Sequence, residues 1–293
     1  MKTDLTFPRA VEKLEHRVRR VFNKLFSETH GKLFCPVCNK PVCSFTPLSR
    51  FYRDNQTEHG YLYSLDDAET LNYPAYTCPH CWASDRDRLF ALYISRRVPK
   101  SEPISLLEIA PAKPLSDMVR RYGKITLRTA DLMMTDVDDH IDITDMHCYA
   151  DNTFDAFICS HVLEHVPDDA KALSELFRIV KPDGWGILMV PVILAADEID
   201  EEPMLADVAE RWRRFGQYDH IRTYSKSGLL QRIHNAGFGV KQLGDEFFGR
   251  DVFARHGISS KSVLYVVEKG PSVCHHRNSA ENAFSSFNMP HER

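Results

Sequence analysis

Four cysteines form two Cys-x-x-Cys pairs, a spacing that is typical of metal sites. The first pair is Cys35 and Cys38, and the second, further along the chain, is Cys78 and Cys81. A proline follows the first cysteine in both pairs, which four reduced cysteines in a small core would not explain. Two such turns brought together supply the four sulfur ligands of a tetrahedral zinc ion. Because that site leaves no coordination position open, we expect the zinc to stabilise the fold and to take no part in chemistry.

The carboxylate of Asp131 stands where it could bind the ribose of a nucleotide cofactor. It follows residues 125–130, which are predicted to form the second strand of the sheet. A carboxylate at the end of such a strand can accept hydrogen bonds from both ribose hydroxyls, as in dinucleotide-binding sheets. The alternative is a solvated acid in a turn, because Asp136, Asp138 and Asp139 follow closely.

The segment 151–191 predicts the strand–helix–strand unit that would position such a site. A short apolar run, a helical spacing of apolar residues and a second uncharged run succeed one another. Units of this kind build open α/β sheets, whose ligands bind beyond the carboxyl ends of the strands. Ser160 and His161 follow the first strand and are therefore expected to border the site. Glu164 and His165, on the next turn, are expected to be a solvated carboxylate and a helix-capping imidazole.

These motifs resemble the class I S-adenosylmethionine-dependent methyltransferases, in the type 11-like branch with the pattern "FD…LEHVPD…ELFR..KP.GW". The chain is most similar to a group with an N-terminal zinc module, in which "CPVC", "CP.C.S..R.RL", "LEIAP", "D…DIT", "SHVLEHVPDD" and "FGQ.DH.R.Y" occur in this order. The resemblance spans residues 35–269. It implies a Rossmann-like α/β fold with a seven-stranded sheet, a small zinc-ribbon-like module in front of it, and S-adenosylmethionine as the cofactor.

Motif I departs from the family. The family has the glycine-rich turn E-x-G-x-G-x-G, in which glycine permits positive φ and a close approach of the backbone to the ligand. Here Glu108 is followed by Ile-Ala-Pro-Ala-Lys-Pro, without glycine. Either the cofactor site is inactive, or small alanines and stiff prolines hold a variant loop in the same place. The shared "LEIAP" motif favours the variant loop.

The resemblance also assigns cofactor contacts. It implies that Asp142 meets the adenine amino group, that Ile143 packs on the adenine ring, and that Ser160 and His161 close over the methionine end. The predicted cofactor-binding residues are Glu108, Ala110, Pro111, Ala112, Asp131, Leu132, Asp142, Ile143, Ser160 and His161.

Ionisable and aromatic side chains alternate over residues 211–224, just before a predicted helix. Polar groups on loops above a sheet edge tend to carry function, so we expect His220, Asp219 and Arg222 to line the acceptor pocket and to act in catalysis. His220 could remove a proton from an acceptor hydroxyl while Asp219 or Gln217 orients it. The alternative is a polar network that only holds this segment in place.

The predicted organisation has five parts: an amphipathic helix at 1–30, the zinc-ribbon-like module with a linking helix at 31–98, the methyltransferase domain at 99–270, an irregular lid inserted in that domain at about 192–224, and a disordered tail at 271–293. A net charge of −4 and 43% apolar residues describe an ordinary soluble protein. The N-terminus has no apolar signal segment, and paired cysteines without one predict a cytoplasmic protein.

The expected activity is methyl transfer to an oxygen or nitrogen atom of a small molecule or a glycan precursor, because the predicted lid is acidic and no basic stripe is evident. One alternative is an RNA methyltransferase that presents RNA on the zinc module, with Arg86 and Arg88 as contacts. Either arginine could instead pair with a local carboxylate. Another alternative is a degenerate fold kept as a binding module. No membrane span is expected.

Overall fold

The computed structural model describes residues 6–98 and 102–270, with side chains from residue 12 onward. The tail predicted at 271–293 lies outside the described residues. The predicted fold class is confirmed: the described chain is an α/β structure built around a seven-stranded, mostly parallel sheet. A cluster of four cysteines lies in the part that precedes this sheet.

The helices and strands follow one another in the order expected for a small module and an α/β domain. The α-helices of the described chain are α1 (Thr6–His30), α2 (Arg50–Glu58), α3 (Asp85–Arg97), α4 (Lys113–Arg120), α5 (Asp169–Ile179), α6 (Val208–Phe215), α7 (Lys226–Asn235), α8 (Asp245–Phe248) and α9 (Arg250–Arg255). The strands are β1 (Leu33–Cys35), β2 (Lys40–Val42), β3 (Ile104–Ile109), β4 (Ile125–Asp131), β5 (Asp139–His140), β6 (Phe154–Ser160), β7 (Val180–Met189), β8 (Asp200–Glu201), β9 (Arg222–Thr223), β10 (Gly239–Leu243) and β11 (Leu264–Glu268).

The central sheet has the strand order β10-β11-β7-β6-β3-β4-β5. From β7 to β5 the strands pair in parallel, whereas β11 runs antiparallel to both of its neighbours. The central strands are rich in aliphatic residues that are buried, as a sheet covered on both faces requires. The chain order reverses between β3 and β6, and open α/β sheets bind ligands beyond the carboxyl ends at such a point.

The N-terminal module is built from two similar cysteine turns. Strands β1 and β2 pair antiparallel, and the first turn lies between them. The second turn is closed by the Trp82 N–H, which donates to the carbonyl oxygen of Cys78 at 2.9 Å. The residues that follow the two turns, Asn39 and Trp82, both have positive φ, 57° and 71°. Each turn therefore leaves its cysteine pair through the left-handed region.

Arg88 of α3 fastens this module to the sheet domain. Its side chain is fully buried and donates to the carbonyl oxygens of Ala75 and Tyr76 at 2.6 and 2.9 Å. It also donates to the carbonyl oxygens of His256 and Gly257, just beyond α9, at 2.7 and 3.0 Å. The hypothesis that Arg88 contacts a substrate or RNA is wrong, because the guanidinium is enclosed and bound to backbone oxygens on both sides.

Helix α1 buries polar residues and exposes apolar ones. Asn23 is fully buried, and its side-chain oxygen accepts the N–H of Cys43 at 2.8 Å. Ser27, one turn further, is 2% exposed. The apolar residues of the predicted amphipathic stripe whose side chains are described are 49–68% exposed, and these are Leu14, Val18, Val21, Phe22 and Leu25.

The segment predicted to be an irregular lid has regular structure and folds back on the module. It contains β8, α6 and β9, and β8 pairs antiparallel with β9. Residue Ile193 forms a bridge with Ala68, and the Glu69 N–H donates to the Val192 carbonyl oxygen at 2.9 Å. The lid and the module therefore meet above the carboxyl edge of the sheet. Among the described helices, none is both long enough and apolar enough to cross a membrane.

Candidate active site

The four cysteines have the dimensions of a metal–thiolate tetrahedron. The sulfur atoms of Cys35 and Cys81 are 3.8 Å apart, and those of Cys38 and Cys78 are 3.9 Å apart. With zinc–sulfur bonds of about 2.3 Å, tetrahedral geometry places the sulfur atoms about 3.8 Å from one another. A disulfide would require about 2.05 Å. The structure thus brings the predicted ligands together at a spacing that fits zinc.

The glycine-free loop after β3 takes a turn that normally suits glycine. Ala110 has φ of 49°, in the left-handed region, and its N–H donates to the Ala130 carbonyl oxygen at 2.9 Å. Alanine in this region costs about 1–2 kcal/mol, so other contacts must hold the loop. The variant loop therefore keeps a left-handed turn at the first alanine.

Glu108 supplies those contacts from below the loop. Its carboxyl group accepts the Ala112 N–H at 3.0 Å and lies 2.7 Å from the Ser116 hydroxyl. It is 1% exposed, and burial raises the pKa of Glu108 to about 7. Both oxygens are engaged by the loop and by α4, so Glu108 positions Ala110, Pro111 and Ala112. That these four residues contact a cofactor remains a prediction.

The predicted ribose and adenine contacts lie at the ends of β4 and in the loop after β5. One carboxylate oxygen of Asp131 accepts the N–H groups of Met133 and Met134 at 2.6 and 2.7 Å, while its other oxygen takes no partner among the described residues. Asp142 similarly caps Thr144. Leu132 is 60% exposed beside Asp131, whereas Ile143 is 5% exposed and packs in the core. The roles of Asp131, Leu132, Asp142 and Ile143 at a cofactor remain predictions.

Ser160 and His161 stand at the carboxyl end of β6, as expected. His161 has φ of 57°, an uncommon backbone for a residue with a side chain, and such outliers cluster at functional sites. Its Nε2 lies 2.8 Å from Nη1 of Arg86, and its Nδ1 lies 3.1 Å from a carboxylate oxygen of Glu164. Burial and the Arg86 charge lower the pKa of His161 to about 4, so it is neutral at pH 7.

A cavity of about 480 Å³ opens next to these residues. The sheet contributes His161 and the segment 191–193, which follow β6 and β7. The module contributes Tyr52 and Arg86, and the lid contributes residues 215–217, His220, Arg222 and Thr223. Because His161 belongs both to the cavity wall and to the predicted cofactor edge, the two sites adjoin.

Glu164 is the most unusual group in this wall. It is fully buried, and neither carboxylate oxygen forms a hydrogen bond of good geometry within the described chain. Its closest titratable neighbour is the His161 ring, with Nδ1 at 3.1 Å. Burial opposes ionisation, but the imidazoles of His161 and His220 outweigh it and lower the pKa of Glu164 to about 2. The prediction of a solvated carboxylate is therefore wrong.

Two further histidines face Glu164 from the turn and from the lid. Nδ1 of His165 is 3.1 Å from the carbonyl oxygen of Asp219, and Nδ1 of His220 is 3.3 Å from that of Phe215. The two rings meet edge to face, with centroids 4.8 Å apart. His220 is 7% exposed, and burial lowers its pKa. His165 therefore belongs to this cluster. Its recorded ring contact is with the carbonyl oxygen of Asp219, and this contact caps no helix.

The other two predicted catalytic residues lie beside the cavity in supporting positions. Arg222 is 1% exposed, and its guanidinium donates to Glu201 at 3.0 Å and to the Pro167 carbonyl oxygen at 3.1 Å. Asp219 accepts the side-chain N–H of Gln217 at 3.0 Å, and the recorded ring contact of His220 is with the carbonyl oxygen of Phe215. The structure supports the alternative that Arg222 holds the segment in place. A catalytic role for Asp219 and His220 remains a prediction.

Sequence reasoning gave Glu164 and His165 no part in the site and left the role of Arg86 open. The adjacent acid and imidazole at 164–165 were visible, but nothing local showed that a lid would bury them. Arg86 could be placed only once the module was known to pack against β6. Its guanidinium contacts His161 and lines the cavity, and a contact with a substrate remains a prediction.

Comparison with known proteins shows which family the chain resembles. A family model described as "Methyltransferase domain" matches residues 82–243, more than half of the chain. No curated protein matches. Similar solved structures include the CurJ carbon methyltransferase, 14% identical with a TM-score of 0.39, where the match covers 62% of this chain and only 52% of that one. They also include the YcgJ protein from Bacillus subtilis, 15% identical, TM-score 0.40, covering 61% and 97%. An S-adenosylmethionine-dependent methyltransferase from Mesorhizobium loti is 13% identical, TM-score 0.42, covering 62% and 98%.

Proposed function

Because this chain belongs to the methyltransferase-domain family and is an S-adenosylmethionine-dependent methyltransferase, we propose that it methylates an oxygen or nitrogen atom of a small polar acceptor, such as a sugar or another glycan precursor. The acceptor would bind in the cavity between the module, the sheet and the lid. The cofactor would bind beside it, over the carboxyl ends of β3 and β4.

The cavity is the observation that carries the proposal. Small-molecule pockets are typically about 300–1,000 Å³, and the volume of about 480 Å³ lies within that range. Walls from three parts of the chain surround it and leave one side open, a shape that suits a small molecule. Polar groups line it, among them Glu164, His220 and Gln217, and these suit an acceptor with several hydroxyl or amine groups.

The chemistry needs alignment and a route for one proton. A lone pair on the acceptor atom attacks the methyl carbon, the carbon–sulfur bond breaks, and its electron pair stays on sulfur as S-adenosylhomocysteine forms. The acceptor loses one proton in the process. Alignment of acceptor and methyl group can supply ~7 kcal/mol or more of the barrier. The cluster of Glu164, His165 and His220 lies in the cavity wall, where it can take up or relay that proton.

On the cofactor side, the free carboxylate oxygen of Asp131 supports a ribose contact. Its partner oxygen is fixed by two backbone N–H groups, so the side chain is already oriented. We further propose that the four cysteines bind one structural Zn²⁺, since their sulfur spacing fits a zinc tetrahedron. That ion would hold the module, and with it Tyr52 and Arg86, against the cavity.

The test uses purified protein, methyl-labelled S-adenosylmethionine and a cell extract separated into RNA, protein and small polar molecules. We expect label in the small polar fraction. Asp131→Asn should reduce labelling and weaken cofactor binding in calorimetry, while Asp136→Asn, an exposed acid in the same loop, should change neither. Label confined to RNA or protein would refute the proposed acceptor class.

A further inference from the structure

We propose that Glu164, His165 and His220 bind one divalent metal ion in the wall of the cavity, and that this ion holds the acceptor through two neighbouring oxygen atoms. This would be a second metal site, separate from the four cysteines. The inference rests on the proposed function, since it names the acceptor as a vicinal diol or a similar oxygen chelate.

The donor set suits a transition-metal ion. One ligand atom from each of the three residues lies within 4.8 Å of the other two. Two imidazoles and one carboxylate are the ligands that manganese, iron, cobalt or zinc accept in sites with open positions. A structural thiolate site is closed, so of the two ligand clusters found among the described residues this second one is the cluster that could bring an ion to an acceptor.

The second and independent observation is the unpartnered carboxylate. Glu164 is fully buried, and neither of its oxygens has a hydrogen bond of good geometry. A buried charge without hydrogen bonds is costly unless a partner charge or a metal compensates. Nδ1 of His161 lies 3.1 Å from one of these oxygens without hydrogen-bond geometry, and Arg86 attracts Glu164 electrostatically while its recorded hydrogen bond is with His161. A cation between Glu164 and the two imidazoles would satisfy the carboxylate directly.

Both histidines are held in a tautomer that leaves Nε2 available to a metal ion. Nδ1 of His165 faces the Asp219 carbonyl oxygen, and Nδ1 of His220 faces the Phe215 carbonyl oxygen. A carbonyl oxygen only accepts hydrogen bonds, so each Nδ1 carries the hydrogen and each Nε2 keeps its lone pair. Metal-bound imidazoles commonly donate their second N–H to a backbone carbonyl in this way.

The ligands sit on backbone that is already fixed. Glu164 and His165 belong to the short turn Leu163–His165, and the Ile221 N–H donates to the Glu164 carbonyl oxygen at 3.0 Å. This bond joins the turn to the lid one residue after His220. Arg222 reinforces the same junction through the Pro167 carbonyl oxygen. The site is therefore assembled by the fold and needs no rearrangement of the chain.

Charge and coordination number define the acceptor. A divalent ion with one carboxylate and two neutral imidazoles keeps one positive charge, which a deprotonated hydroxyl would neutralise. Three protein ligands leave room for at least two oxygens on an ion that prefers six ligands. An acceptor with adjacent hydroxyls would bind through both, and one would lose its proton to water because the ion lowers its pKa. That alkoxide then attacks the methyl carbon, and a methyl ether and S-adenosylhomocysteine form.

The test starts from protein brought to one Zn²⁺ per chain, so that the second site is empty, and titrates it with Mn²⁺ while the electron paramagnetic resonance signal of the free ion is followed. Thiolate sites favour zinc over manganese, so the cysteine cluster should not interfere. We expect one Mn²⁺ per chain, with affinity reduced at least about 10-fold in Glu164→Gln and in His220→Gln. His234→Gln, an exposed histidine at the end of α7, should bind Mn²⁺ like the wild type.

Binding of S-adenosylmethionine by the variants shows whether they are folded. A folded Glu164→Gln variant that binds Mn²⁺ as tightly as the wild type would overturn the inference. So would a wild type that takes up no Mn²⁺, Co²⁺ or second Zn²⁺. Ion binding needs no acceptor, so it can succeed even if the labelling experiment finds no small acceptor. Conversely, full methyl transfer to a small acceptor by protein that holds one zinc and no other ion would retain the proposed function and refute the second metal site.

Discussion

Replacing Glu108 with glutamine tests whether the loop after β3 is held by a protonated carboxyl group. In the folded chain the pKa of Glu108 rises from 4.5 to about 7 because the group is buried. A protonated carboxyl can donate to the Ser116 oxygen, which in turn lies 3.2 Å from the Ala112 carbonyl oxygen, while the other carboxyl oxygen accepts the Ala112 N–H. Every member of this network is then satisfied. Ionisation removes one donor and leaves a buried charge.

The sign and size of the effect follow from linkage. A folded pKa above the unfolded value means that the stabilising contribution is complete below pH 4.5 and is lost as the pH rises through about 7. The loss is about 1.4 kcal/mol per pH unit in that window. Between pH 5.5 and 8.5 it amounts to about 2 kcal/mol. Glutamine cannot ionise, so the variant should escape this loss.

The assay is urea unfolding at constant zinc concentration, with both proteins measured at pH 5.5, 7 and 8.5. Other groups titrate in this range, but they are common to both proteins and cancel in the difference. We expect the variant to gain about 2 kcal/mol relative to the wild type as the pH rises from 5.5 to 8.5. Parallel curves, or a wild type that gains stability relative to the variant, would show that Glu108 is ionised in the fold and would refute the reasoning.

Two further perturbations separate supporting roles from chemistry. Arg222→Lys loses the planar set of donors that binds Glu201 and the turn carbonyls, and we expect urea unfolding to show a loss of about 3 kcal/mol. Unchanged stability with lost methyl transfer would instead restore a catalytic role for Arg222. Cys78→Ser should lower the zinc content and the thermal midpoint, whereas Cys148→Ser, at an exposed cysteine, should leave both unchanged. Equal zinc content in the two serine variants would argue against the cysteine site.

The sheet could be predicted because its signals are local. An apolar run bounded by polar residues predicts a buried strand wherever it occurs, and β3, β4 and β6 all appear close to their expected positions. The cysteine pairs are equally local, since the spacing within each pair sets the turn. The strand order itself came from the resemblance. The lid was harder, because α6 and the two short strands beside it carry no long periodic pattern.

The candidate site was only half visible, because burial there is decided by distant contacts. Glu164 has the sequence context of a surface acid, and it becomes fully buried only when residues near His220 fold across it. The same cause explains why the apolar stripe of helix α1 is exposed, because distant contacts decide which face of an amphipathic helix is buried. Its buried face is the one that carries Asn23, whose side-chain oxygen accepts the backbone N–H of Cys43 in the module. Pattern alone could not show which face would find a partner.

The cysteine module belongs to the candidate active site because of the register of one helix. Ser84 caps α3 by accepting the Asp87 N–H at 3.1 Å, so the helix starts a fixed distance after the second cysteine turn. Residues two apart on a helix point about 200° away from each other. Arg86 therefore reaches His161 in the cavity while Arg88 points into the joint with the sheet domain. If the proposed zinc ion is lost, the second cysteine turn no longer fixes where α3 begins. The contacts of Arg86 and Arg88 are then no longer held in place. The acceptor side should then fail first, because the cofactor loop is held separately by Glu108.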